Sequence, residues 1–106
     1  MIITTTPTIQ NREIISYLGI VNGEVILGIN FVKDFAAGLT NIFGGRSVSY
    51  EDELVQGRTK ALTEMEDRAK RMGADAVVGV DIDYEVLGQN GSMIMIVVTG
   101  TAVKLQ

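Results

Sequence analysis

An α+β fold is what this sequence predicts, and three observations carry it. Residues 49–72 repeat their apolar side chains at helical spacing and carry capping signals at both ends. Residues 74–86 alternate apolar and acidic side chains, as a half-buried strand does. Residues 93–103 are apolar on both parities and follow a Gly- and Asn-containing loop that turns the chain back. A strand pair packed on one long amphipathic helix follows from these.

Taken in order, residues 2–6 are β-prone and read as a short strand, which Pro7 ends. Residues 8–13 are a polar connection. Residues 14–29 are β-prone throughout, with Asn22-Gly23 at their centre. Asn-Gly between apolar runs is a hairpin signal, because both residues tolerate positive φ. Local rules lean to a hairpin, and a single long strand bent at Gly23 stays open. Asn30 then caps a first, shorter helix, in which Phe31, Val32, Phe35, Ala36, Leu39, Ile42 and Phe43 share one face. Gly44-Gly45 ends it.

The second helix has Ser49 as its expected N-cap, with Asp52 three residues on. Glu51, Asp52 and Glu53 in its first turn, and Arg68, Lys70 and Arg71 in its last, suit the helix dipole. Leu54, Arg58, Ala61, Leu62, Met65, Ala69 and Met72 line one side. Arg58 is the charged exception, and Gly57 beside it costs about 1 kcal/mol relative to Ala. Gly73 stops the helix. In the following strand Val78, Val80, Ile82, Tyr84 and Val86 point one way, and Asp81, Asp83 and Glu85 the other. In the last strand Met93, Met95, Val97, Thr99, Thr101 and Val103 alternate with Ile94, Ile96, Val98, Gly100 and Ala102. Both faces are largely apolar, so both should be covered. The long helix covers one. The first helix or a neighbouring subunit is the candidate for the other.

Composition bounds the function. A chain of 106 residues has room for one domain, over 1–106. It is 46% hydrophobic, with a mean hydropathy of +0.25. That is apolar for a small chain and points to a second apolar surface buried against sister subunits. A net charge of −4 repels phosphate backbones, so nucleic acid is not an expected partner. The longest apolar run, residues 93–98, falls far short of the ~20 residues a membrane span needs. No basic n-region precedes an apolar stretch, so no signal peptide is read and a cytoplasmic location is expected. There is no Cys and no His. Thiolate nucleophiles, imidazole bases and zinc sites of the usual nitrogen and sulfur type are therefore excluded.

Several short motifs resemble one family. They are Gly44-Gly45-Arg46-Ser47, Tyr50-Glu51, Gly73-Ala74-Asp75-Ala76-Val77-Val78-Gly79 and Gly100-Thr101-Ala102-Val103, with Thr4-Thr5-Thr6, Gly19-Ile20-Val21 and Gly23-Glu24-Val25 upstream. Spread over nearly the whole chain, they resemble the YbjQ-like family of small bacterial and archaeal proteins. That resemblance implies a dodecin-subunit-like fold, with an antiparallel sheet on a helix, and a ring-shaped homo-oligomer, a pentamer. It implies no established activity. The family label of heavy-metal binding fits this chain poorly. Asp75 stands where the family often has Asn.

Four groupings are candidate sites. Asp81, Asp83 and Glu85 form a carboxylate row with about 6.5–7 Å between alternate residues. Like charges this close favour a hard divalent cation such as calcium, magnesium or manganese, and the plainer explanation is a solvated strand face that discourages edge pairing. Gly44, Gly45, Arg46 and Ser47 offer backbone N–H groups and a guanidinium to an anionic ligand, or simply make a turn whose Arg pairs with Glu51–Glu53. Tyr17, Tyr50 and Tyr84 are candidates for stacking on a flat ligand. Met65, Met72, Met93 and Met95 are candidates for a thioether cluster, and for both sets packing is the simpler explanation.

Three classes of function remain. A binding module would hold a metal ion or small anionic ligand at subunit interfaces. A structural adaptor would dock a protein or membrane-complex partner through one face. An enzyme would need a carboxyl with a raised pKa or a Schiff-base Lys, and the sequence clusters neither in a predicted cleft. The binding module is the preferred reading and the adaptor the alternative.

Overall fold

The computed structural model describes residues 1–28, 48–89 and 93–106. Within them the order is β1 (Ile2–Ile3), β2 (Ile14–Leu27), α1 (Val48–Arg71), β3 (Ala76–Leu87) and β4 (Met93–Leu105). The shorter helix expected over 30–43, and its Gly44-Gly45 stop, lie outside the described residues.

The strands form one sheet in the order β1-β3-β4-β2. Both β3 and β2 run antiparallel to β4, while β1 runs parallel to β3. The sheet is therefore mixed, where a wholly antiparallel one was expected. Its parallel member is two residues long. The tie to β3 continues past it, as Thr4 N–H donates to Val77 O (3.0 Å), Val80 N–H to Thr4 O (3.1 Å) and Gly79 N–H to Thr6 O (2.9 Å). Pro7 follows, with no N–H to extend the ladder.

Asn22-Gly23 does not turn the chain. β2 runs through both, pairing Asn22 with Thr99 and Gly23 with Val98. The glycine answers to a tertiary demand instead. A Cβ at Gly23 would stand 2.1 Å from the carbonyl oxygen of Ala61 and 2.9 Å from the amide nitrogen of Met65, in the middle of α1. Glycine at this position lets the helix backbone rest against the strand.

The buried stripe of α1 is Ala61, Met65 and Ala69, which packs with Val21, Ile96, Val98 and Ala102 of the sheet. Leu54 and Leu62 flank it. Gly57, read from sequence as a cost to the helix, sits against the side chains of Ile96 and Leu27. The helix starts at Val48, so Ser49 lies inside its first turn and is not its N-cap. Its C-terminus ends as expected. Gly73 has φ +84°, its N–H donates to Lys70 O (2.9 Å), and Ala74 N–H donates to Ala69 O (3.1 Å). These two bonds make a Schellman cap.

α1 lies over β2 and β4 and barely touches β3. Val77, Val80 and Ile82 join the core beneath it. Tyr84 and Val86 continue the same parity beyond the helix and are exposed. The expected grouping of Val78 with Val80 fails, because Gly79 (φ +61°) is an extra residue in β3. Val78 pairs with Thr101 and Asp81 with Thr99, three residues on one strand against two on the other. Such a bulge reverses the alternation. Val78 accordingly packs on the opposite face with Ala76, Val103 and Leu105, under Ile9 and Ile14. Among the described residues, the N-terminal segment covers only this end of the far face.

Candidate functional site

Beyond the bulge, the far face of the sheet carries three parallel rows. β4 supplies the central one, with Thr99, Val97, Met95 and Met93. Cross-strand pairing places Asp81, Asp83 and Glu85 of β3 opposite Thr99, Val97 and Met95. On the other side Asn22, Glu24 and Ile26 of β2 face the same three residues. The carboxylate row read from sequence therefore exists, on the face away from the helix. The structure brings Asp81 and Asp83 together and sets Glu85 further along the row. A hydrogen bond to Asp81, which requires a proton, holds the Asp83 carboxyl above its ordinary range. The Asp81 charge, some desolvation at this exposed site and the Glu85 charge act in the same direction. Among the described residues no three acidic groups converge as a chelate within one chain.

Among the described residues β3 is also an outer strand from Asp81 onward, since β1 and its continuation reach only to Val80. Among the same residues β2 is the outer strand on the other side. Its middle is clasped by Arg68 of α1, which donates to Asn22 O (2.8 Å) and to both Glu24 carboxylate oxygens (3.4 Å each). Glu64 pairs with the same guanidinium. Because Asn22 and Glu24 share the far face, Arg68 reaches them around the strand's edge. The hydrogen bond to Glu24 is the main reason the guanidinium is held above its ordinary pKa.

At the opposite end, Asp75 fastens the start of β3 to the end of β4. Its carboxylate accepts from Leu105 N–H (2.9 Å) and faces Lys104 Nζ (3.5 Å). The Leu105 amide, followed by the Lys104 and Arg12 charges, holds this carboxyl below its ordinary range against the desolvation that opposes it. The sequence marks Asp75 only as a departure from the family's usual Asn and Arg68 only as a helix-end charge, and neither with these partners. Their partners lie 30 and 44 residues away.

The remaining candidates separate. Gly44, Gly45, Arg46 and Ser47 lie outside the described residues, as does the side chain of Tyr50. Tyr17 on β2 and Tyr84 on β3 are exposed on different faces. Met65 is fully buried in the core, whereas Met93 and Met95 are half-buried on the far face. An open recess of about 570 Å³ is lined by Ile2, Thr4, Thr6, Pro7, Thr8, Ile9 and Gln10. Its Thr4 and Thr6 hydroxyls bond each other (2.9 Å), and Thr6 donates on to Thr8 O (2.7 Å), so their hydrogen-bonding capacity serves the turn itself. No helix among the described residues is long and apolar enough to cross a membrane.

A family described as "Putative heavy-metal-binding", YbjQ, matches residues 1–106. A UPF0145 protein of Clostridium botulinum is 65% identical over 103 residues, covering 97% of each chain. A UPF0145 protein of Acetivibrio thermocellus is 60% identical over 106 residues, the whole of both chains. Among solved structures, a protein of unknown function from Pediococcus pentosaceus, of the DUF74 family, aligns with a TM-score of 0.71 at 18% identity, over 100% of this chain and 98% of that one. At that identity the likeness concerns the fold alone.

Proposed function

The chain belongs to the YbjQ family, and from that premise we propose that it is a non-catalytic, ring-forming homo-oligomer that holds a metal ion or small ligand between copies. It acts as a single domain over 1–106, in the cytoplasm. The dodecin-subunit-like arrangement, the shorter preceding helix and a pentameric ring belong to the same reading.

The observation that carries it is the pair of unlike open edges. Among the described residues, β3 is unpaired on its outer side beyond Val80, and β2 is unpaired on either side of the Arg68 clasp. These edges lie on opposite sides of the sheet, and their strands run in the same direction. Joining β2 of one copy to β3 of the next is a head-to-tail contact, which either closes as a ring or runs on as a filament. Such a joint sets Glu24 of one copy near the Asp81 and Asp83 row of the next. An oxygen-ligated divalent cation, such as calcium, magnesium or manganese, suits that interface. The Gly44, Gly45, Arg46 and Ser47 turn is the second ligand position of this reading.

Cysteine cross-linking tests the joint cleanly, since the chain has no native Cys. Ile26 and Glu85 both pair with Met95, so they stand at one level on opposite edges. In the double variant Ile26→Cys with Glu85→Cys, a short bis-maleimide should give a ladder ending at the ring. Each single variant should stay uncross-linked, because like edges never meet. Dimers from either single variant, or no ladder from the double variant, would refute the head-to-tail joint.

A further inference from the structure

The family description names heavy metals, and this chain lacks the donors that hold them. Soft and borderline ions select thiolate and imidazole. The 106 residues contain no Cys and no His. We infer that this protein does not hold a soft heavy-metal ion, and that any cation it binds is a hard one taken by carboxylate oxygen.

Thioether sulfur is the one soft donor left, and its placement argues the same way. Met65 is sealed in the core at 0% exposure. Met72 ends the helix, with its methyl directed at Gly19. Met1 lies at the start of the chain, its amino group paired with Glu66 (3.6 Å). Only Met93 and Met95 share a strand face, and the ionisable group across from Met95 is Glu85. Two neutral thioethers give an incoming cation no charge neutralisation, and they compete poorly with the thiols of a cell. Assembly does not rescue the site, because further copies of this chain bring no new donor type. The inference therefore holds whether or not the ring forms.

The test uses untagged protein, since a polyhistidine tag would supply the missing imidazoles. The protein is dialysed against Zn(II), Cd(II) and Ag(I), the last as an air-stable stand-in for Cu(I). Retained metal is then counted by mass spectrometry after competition with a chelator. Less than about one-tenth of an equivalent per subunit is expected for each ion at micromolar free metal. A whole equivalent of any of the three, surviving the chelator, overturns the inference. Retained Ag(I) that disappears in Met93→Leu with Met95→Leu would overturn it and assign the thioether pair. Binding of Ca(II) or Mn(II) that Asp81→Asn with Asp83→Asn abolishes would support it. The cross-linking ladder reports separately on the ring.

Discussion

Adding one methyl group at Gly23 should unseat the helix. A Cβ there would stand 2.1 Å from Ala61 O and 2.9 Å from Met65 N, both main-chain atoms of α1. Ordinary contact is about 3.5 Å, so the helix must retreat by more than about 1 Å or the strand must bend. No rotamer change relieves a clash between backbones. Overpacking in a core costs about 1–3 kcal/mol where side chains can adjust, and here the cost should reach about 3 kcal/mol or more. Retreat also opens gaps around Met65, Ile96 and Val98, all fully buried. Gly57→Ala is the control. Its methyl would meet Ile96 Cδ1 at 2.9 Å and Leu27 Cδ1 at 3.6 Å, the swinging ends of flexible side chains. Helix propensity returns about 1 kcal/mol, so this variant should stay within about 1 kcal/mol of the parent. The assay is guanidinium unfolding followed by far-ultraviolet circular dichroism. Subunit concentration is held fixed, because assembly would make stability depend on it. A Gly23→Ala protein within about 0.5 kcal/mol of the parent, or a Gly57→Ala protein equally destabilised, would refute the close-approach argument.

Two further predictions follow from the faces and the carboxyl groups. Val98 is fully buried, whereas its neighbour Val97 is half-buried on the far face. Val98→Asp should cost about 3 kcal/mol or more and prevent folding. Val97→Asp should fold and lose the assembly, and sedimentation velocity with circular dichroism separates the two outcomes. On pH, Asp75 and Asp83 act with opposite sign. The Asp75 contribution is present above its unfolded value near 3.8 and is lost as pH falls through its lowered folded value. The Asp83 contribution is present below 3.8 and is lost as pH rises through its raised folded value. Asp83→Asn should therefore stabilise the protein at pH 7 and leave acid stability unchanged. Asp75→Asn keeps an acceptor for Leu105 N–H but should flatten the acid limb. Unfolding midpoints across pH 2–7 check both, and a loss of stability at pH 7 in Asp83→Asn would contradict the row's repulsion.

What was legible in the sequence is what periodicity encodes. The long helix and its Gly73 stop, the two last strands and the acid row on one strand face all rest on local spacing. Asn22-Gly23 was ambiguous because a glycine that turns a chain and a glycine that admits a helix look alike. Ala61, which decides between them, lies 38 residues further on. The Gly79 bulge was hidden for a similar reason. Val78 and Val80 are both apolar, so the pattern reads straight through the residue that sends them to different clusters. The acid row survived that error because Asp81, Asp83 and Glu85 all lie on one side of the bulge. Asp75 and Arg68 act through partners distant in sequence, and no spacing rule connects Arg68 with the Asn22 carbonyl. Tyr84 was placed on the core parity correctly, yet it is exposed. Which strands the helix crosses is a property of the packed sheet, not of β3.

Native mass spectrometry of freshly purified, untagged protein tests the central claim most directly, because it weighs the assembly and its cargo together. The account predicts one discrete closed homo-oligomer, a pentamer, with added mass from a hard cation or small ligand. An empty ring would shift the reading to the adaptor, and a bare monomer at micromolar concentration would contradict the account.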